Sequence, residues 1–269
     1  MLPTSSPTTL VDSHCHLVFR QFDSDLQEVV ARWREAGVGA VVHACVEPAE
    51  IPAIRELADQ VPELRYAVGV HPLDVGKWDA RTASVLREAA LADPRVVAVG
   101  ELGLDLYRQK NLEEQLAALH PQLDLACDLG LPVIVHCRDA ADPMLEVLHQ
   151  RQAQGRCPAG VMHCWGGTPE EMAAFLALGF YISFSGTVTF TKAESIQACA
   201  RQVPEDRYLV ETDCPFLSPA PRRGKRNEPA NVAVVAAKVA ELRGEGLAQV
   251  AQSSTRNADK LFRLHLHSV

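Results

Sequence analysis

The segment Leu10-Val11-Asp12-Ser13-His14-Cys15-His16 reads as an apolar strand that ends in polar, metal-capable side chains. Side chains alternate along a strand, so His14 and His16 face the same side. The same punctuation recurs down the chain. Candidate strands follow at Ala40–Cys45, Tyr66–His71, Val96–Glu101, Val133–His136, Gly160–His163, Tyr181–Ser185 and Tyr208–Asp213. His71, Glu101, His136, His163 and Asp213 each close one of them. Between the strands, helical patterns occupy Asp25–Ala36, Thr82–Ala92, Leu112–Leu129, Asp142–Gln154 and Pro169–Leu178, with apolar residues recurring at three and four positions. Gly37, Gly130 and Gly179 stand where three of these helices would stop.

Eight strand–helix units of roughly thirty residues fit an α/β chain folded as a (β/α)8 TIM barrel, a fold of about 250 residues. An open doubly wound sheet uses the same alternation, so the count does not separate the two. The strand ends do. A barrel carries the carboxyl ends of all its strands to one mouth, where active sites lie, and remote residues then converge without a helix-borne motif. One domain, residues 1–269, is expected, with no low-complexity segment, short repeat or interdomain linker. The long irregular stretch Cys214–Asn231 follows the last strand, and loops of that length are usually functional or disordered.

Composition agrees with a soluble enzyme: 47% of the 269 residues are hydrophobic and 22% charged. No apolar run is long enough to span a bilayer, and Met1–Leu10 lacks the basic and apolar segments of a secretion signal. None of the eight cysteines shows Cys-x-x-Cys spacing. Cys15, Cys137, Cys164 and Cys214 each adjoin a histidine or aspartate at the end of an apolar run, as small buried fillers would. Reduced thiols and a cytoplasmic location are the expectation. The formal charge of −8 disfavours a general nucleic-acid coat, though not a nucleic-acid enzyme whose metal ions supply a local positive field. Arg222, Arg223, Lys225 and Arg226 around Gly224 reverse that charge locally.

The ligand types suit two divalent ions. Imidazole and carboxylate bind Zn, Mn, Fe or Co, whereas Mg prefers oxygen ligands and water. The expected arrangement sets one ion on His14, His16 and Asp213 and the other on His136 and His163, with Glu101 bridging. Such pairs lie about 3.5–4 Å apart, activate water and stabilise a leaving oxygen. His71 is a candidate for an additional site, although a single strand-end histidine is more often a satisfied core or surface residue. Other chemistries lack their signatures. There is no Gly-x-Ser-x-Gly elbow, Gly224-Lys225-Arg226 is not a phosphate loop, and Gly100 and Gly103 lack the third glycine of a dinucleotide fingerprint.

With these residues in place, the chain resembles the TatD family of metal-dependent deoxyribonucleases, within the amidohydrolase-like barrels. The matching segments include Asp12-Ser13-His14-Cys15-His16-Leu17, Gly69-Val70-His71-Pro72 and Gly100-Glu101-Leu102-Gly103-Leu104-Asp105. They continue through Pro132 to Ala140, His163-Cys164, Glu211-Thr212-Asp213-Cys214-Pro215 and Arg223-Gly224-Lys225-Arg226-Asn227-Glu228-Pro229, and reach Thr255-Arg256-Asn257-Ala258. The resemblance implies phosphodiester hydrolysis supported by Mg or Mn, with Zn an alternative, commonly 3′-to-5′ exonuclease action on DNA. It implies a substrate of single strands or 3′ ends and a role in DNA repair or degradation. Its metal ligands fall on the six residues chosen above. Two departures stand out. Leu73 replaces a second histidine common after His-Pro, and Trp165-Gly166 follows His163-Cys164 in place of phenylalanine and serine or threonine.

On this reading Asp213 and Glu101 are catalytic as well as ligating: a water activated by the ions attacks phosphorus, and Asp213 accepts its proton. Arg138, Arg223, Lys225 and Arg226 are candidate phosphate clamps. The alternatives are a structural ion pair for Arg138 and a solvated face for the basic loop. Trp165 and Phe216 are candidates for base stacking, with core packing as the alternative. Asp105 and Glu211 are candidates for orienting the ligating histidines. Two other functions compete: an ester or amide hydrolase, such as a deacylase of mischarged aminoacyl-tRNA, and a non-enzymatic binding protein.

Overall fold

The computed structural model describes residues 9–266. Most of the Met1–Leu10 segment, on which the reading of no secretion signal rests, lies outside them. Eight parallel strands lie side by side in sequence order: β1 (Leu10–Cys15), β2 (Val38–His43), β3 (Leu64–Val68), β4 (Val96–Asp105), β5 (Val133–Arg138), β6 (Gly160–Met162), β7 (Tyr181–Phe184) and β8 (Tyr208–Val210). Cys15 pairs with Cys214, the Asp213 amide donates to the His14 carbonyl at 2.9 Å, and the His16 amide donates to the Cys214 carbonyl at 2.8 Å. The chain beyond β8 thus meets β1 and closes the barrel.

Helices α1 (Leu26–Glu35), α2 (Ile51–Gln60), α3 (Thr82–Ala92), α4 (Leu112–Leu129), α5 (Ala141–Ala153), α6 (Pro169–Ala177), α7 (Glu194–Gln202), α8 (Val232–Arg243) and α9 (Leu247–Phe262) surround it. Among the described residues no helix is long and apolar enough to cross a membrane.

Strands covered on both faces need apolar residues at nearly every buried position, which is why Ala40–Val42 of β2, Tyr66–Val68 of β3 and Val133–Val135 of β5 are continuous apolar runs. Two apolar layers result. The inner one gathers Val11, Val42, Ala67, Ile134 and Leu209, joined by Leu261 and Phe262 from the end of α9. The outer one packs helix side chains such as Trp33, Leu123 and Phe175 onto the sheet. Truncating Phe262 to alanine would cost about 3–5 kcal/mol.

Strand ends differ from the sequence reading at several places, β3 for instance stopping at Val68 short of His71, and two of the shifts have a local reason. β4 continues past Glu101 to Asp105 because Gly103, at φ 142°, lets the backbone run against β5. A Cβ there would collide with the His136 carbonyl oxygen. β8 stops at Val210, short of Asp213, because the next residues turn onto a side chain. The Thr212 amide and hydroxyl donate to the Asp12 carboxylate at 2.8 and 2.5 Å.

Candidate metal centre

The imidazoles and carboxylates that end the strands meet at the carboxyl mouth of the barrel. The Nε2 atoms of His14 and His16 lie 3.1 Å apart. Glu101 Oε2 is 3.2 Å from His14 Nε2 and 3.6 Å from His16 Nε2. Asp213 Oδ1 stands 3.6 and 3.5 Å from the same two nitrogens. The other Glu101 oxygen, Oε1, is 2.8 Å from both His136 Nδ1 and His163 Nε2, and 3.3 Å from His71 Nε2. The Glu101 carboxylate therefore separates two groups and turns one oxygen to each.

Local structure explains how each side chain arrives. Alternation at the end of β1 sets His14 and, just beyond the strand, His16 on the same side. Glu101 is pinned by its own amide, which donates to the Cys45 carbonyl at 2.8 Å. Asp213 sits in the left-handed region at φ 56°, at the corner that Thr212 fixes to Asp12. Burial, against the opposing bonds from Thr212, pushes the Asp12 carboxyl up to about 8.

The hydrogen bonds on the far side of each ring decide which nitrogen is free. His136 Nε2 lies 3.0 Å from Asp105 Oδ2, and His163 Nδ1 lies 3.2 Å from Glu211 Oε1. A proton placed on each of those nitrogens leaves the opposite lone pair aimed at Glu101. Two lone pairs against an anionic oxygen repel unless a cation lies between them, so this donor set fits metal ions. The third histidine differs. The Leu73 amide donates to His71 Nδ1 at 3.0 Å, so the neutral ring carries its proton on Nε2, the atom facing Glu101. In that tautomer Nε2 can donate to Glu101, 3.3 Å away. Three groupings whose candidate ligand atoms lie within 4.8 Å of one another are His14–His16–Glu101, His71–Glu101–His136 and His14–His163–Glu211.

Charge follows the same division. Burial opposes the Glu101 carboxylate, yet His163, His71 and His14 hold it well below its ordinary range. His163 is also resisted by burial, but Glu101 and Glu211 raise it well above the usual histidine value. His14 is lowered, by burial and by neighbouring His163.

A cavity of about 900 Å³ opens over the centre, lined among others by Phe19, His71, Arg108, Arg138, Trp165 and Phe216. Of the residues singled out for substrate contact, Arg138 lies on this wall with its guanidinium 4.0 Å over the exposed Tyr107 ring. Trp165 also reaches the wall, but it is 5% exposed and set edge-on to Phe175, leaving no open face for a base. Arg223 and Lys225 are exposed on the loop after β8, away from the cavity wall. Arg226 is not brought to the cavity. Its guanidinium donates to Asp25 at 2.6 and 2.7 Å and to the Gln21 carbonyl at 2.7 Å, tying the loop to the start of α1. Asp105 and Glu211 stand behind His136 and His163, as anticipated. Phe19, Tyr107 and Arg108 were not anticipated; an aromatic three residues after His14-x-His16 was the available signal for Phe19.

Comparison with known proteins agrees with this geometry. The family model for TatD-related DNases matches residues 11–263. An uncharacterized metal-dependent hydrolase of Escherichia coli, YcfH, is 39% identical over 260 residues, covering 95% of this chain and 96% of that protein. The protein named 3′-5′ ssDNA/RNA exonuclease TatD from Edwardsiella piscicida is 36% identical over 262 residues, covering 95% of this chain and all of the other. The crystal structure of the Escherichia coli TatD homologue YjjV superposes with a TM-score of 0.88 at 32% identity, covering 94% of this chain and 98% of that one. A barrel whose strand ends carry these motifs, matched over nearly its whole length, belongs to the TatD family of metal-dependent hydrolases.

Proposed function

We propose that the chain is a two-metal phosphodiesterase that removes nucleotides from the 3′ ends of single-stranded DNA. The observation that carries this reading is the Glu101 carboxylate, with one oxygen toward His14 and His16 and the other toward His136 and His163. The relative named as a 3′-5′ ssDNA/RNA exonuclease supports the substrate class.

His14, His16 and Asp213 would hold one divalent cation, His136 and His163 the other, and Glu101 both. Bound Mg, Mn or Zn would supply Lewis acidity, lowering the pKa of a water and neutralising charge on the phosphoryl group. The chain's own groups do the rest. Asp213 accepts the proton of the attacking water. The Nε2–H of His71 donates to a phosphoryl oxygen, which puts this histidine on substrate instead of on a third ion. Asp105 and Glu211 keep the proton of each ligating ring on its outer nitrogen. Arg138 on the cavity wall, with Arg223 and Lys225 farther out, attracts the phosphates of the strand; Arg226 serves the scaffold.

The test is digestion of single- and double-stranded DNA labelled at either end, with Mg, Mn or Zn and an EDTA control. Stepwise shortening from the 3′ end, abolished by EDTA and reduced at least about 100-fold by Glu101→Ala, is expected. Wild-type turnover by the Glu101→Ala protein, with metal content unchanged, contradicts the bridging role.

A further inference from the structure

Among the described residues five large hydrophobic side chains are exposed: Val85, Leu91, Tyr107, Phe216 and Leu247. The three aliphatic ones belong to α3 and α9, in the outer helical layer. Both aromatic ones stand on loops that follow strand carboxyl ends: Phe216, in the loop after β8, lines the cavity, and Tyr107, two residues after the end of β4, reaches it through Arg138, which lines the cavity and covers the Tyr107 ring. With the strands in sequence order around a closed barrel, β4 and β8 are half a circuit apart. The two rings therefore lie on opposite sides of the metal centre.

Neither ring is loose packing. Phe216 is 47% exposed, yet its amide donates to the Asp213 carbonyl at 2.9 Å and its carbonyl accepts from Asn227 Nδ2 at 2.8 Å. Asn227 is itself buried. Phe19 stands beside it with ring centres 5.9 Å apart, and Phe19 stacks in parallel on the ligating His16 ring at 5.1 Å. On the other side Tyr107 is 57% exposed, and the Arg138 guanidinium covers one face of its ring at 4.0 Å. A guanidinium plane held in this way is itself a stacking surface.

We propose that the mouth carries two nucleobase platforms, Phe216 with Phe19 on one side and Tyr107 with Arg138 on the other. The bases flanking the scissile phosphodiester stack on them, one each. Aromatic platforms hold bases without sequence preference because every base has a π face. The platforms rest on the nuclease reading above, and they imply that a dinucleotide is the smallest well-bound substrate.

The experiment is a cycle between protein and substrate, run on the metal-loaded full chain. Phe216→Ala and Tyr107→Ala are assayed on an oligonucleotide and on two versions with a tetrahydrofuran abasic residue on one or the other side of the cleaved linkage. Each variant lowers kcat/KM about tenfold on the normal strand, mainly through KM. The loss does not multiply with that of an abasic residue on its own side, but does multiply with one on the other side. Phe216→Trp restores turnover to within about threefold. Losses that multiply in every combination, or variants without effect, overturn the platforms while leaving the nuclease reading intact. Failure of the wild-type protein to cut any of the strands overturns both.

Discussion

Replacing Asp105 by asparagine isolates the role of a carboxylate that stands behind a candidate ligand, His136. Asp105 is 1% exposed. One of its oxygens accepts from the Arg108 amide at 2.8 Å, and the other faces His136 Nε2 at 3.0 Å. Asparagine keeps the first bond through its carbonyl oxygen and presents its NH2 group to His136, so two donors meet. The ring must give up that bond or move its proton to Nδ1, the nitrogen aimed at Glu101. A hydrogen bond to a charged group contributes about 1.5–3 kcal/mol. At ~2 kcal/mol, the cation held by His136 and His163 should bind about 30-fold more weakly. The other cation should change by less than about threefold. Calorimetric titration of metal-free protein against a competing chelator resolves the two steps. The sign of the pH dependence also follows. Burial opposes the Asp105 carboxylate, but its bond to His136 brings it down to about 2, below its ordinary value. Its contribution is complete above the ordinary aspartate range and is lost only as pH falls through about 2. Asp105 therefore stays ionised from pH 5 to pH 8, and any pH dependence of the difference between wild type and Asp105→Asn in that window comes from His136, whose protonated form burial opposes but Asp105 and Glu101 favour. Unchanged affinity of both cations refutes the orienting role.

Four further outcomes are expected. Glu211→Gln, whose side chain keeps the Cys164 amide bond but loses its charge beside His163, weakens the same cation by about tenfold in the same titration. His71→Gln leaves the bound-metal stoichiometry at its wild-type value and lowers kcat about 10- to 100-fold; loss of an ion instead makes His71 a ligand. Arg226→Ala lowers stability by up to about 1 kcal/mol, or roughly 2–4 °C in a melt, with kcat/KM on oligonucleotide unchanged. A tenfold rise in KM places Arg226 on phosphate after all. Its partner Asp25 is held down at about 2 by Arg226, so the melting difference between wild type and Asp25→Asn persists above pH 4 and vanishes near pH 2.

The architecture was legible because chemistry and periodicity agreed. An apolar run ending in His14-Cys15-His16 fixes both a strand and its direction, and similar endings on other strands have only one fold that gathers them. Boundaries were legible where a glycine stops a helix, as at Gly130, the left-handed cap of α4. They were illegible where a tertiary contact decides. Nothing local in Glu211-Thr212-Asp213 reveals that Asp12 captures Thr212 and ends β8 early. α8 opens on a run of valines and alanines, Val232 to Ala237, that serves a strand as well as a helix, and packing against α7 and α9 selects the helix. The site shows the same limit. Candidate ligands can be picked from strand ends, but the hydrogen bonds behind them depend on Asp105, Glu211 and the Leu73 amide, and only the folded structure shows those contacts. The basic run after β8 read as one patch. In space Arg226 turns back to Asp25, while Arg223 covers the Phe190 ring at 4.5 Å.

The central claim is that Glu101 stands between two cations. Anomalous scattering from crystals grown or soaked in manganese tests it without reference to activity. Two peaks about 3.5–4 Å apart are expected, one beside His14 and His16 and one beside His136 and His163, each in contact with a different Glu101 oxygen. A single peak, or a pair that leaves one Glu101 oxygen uncoordinated, contradicts it.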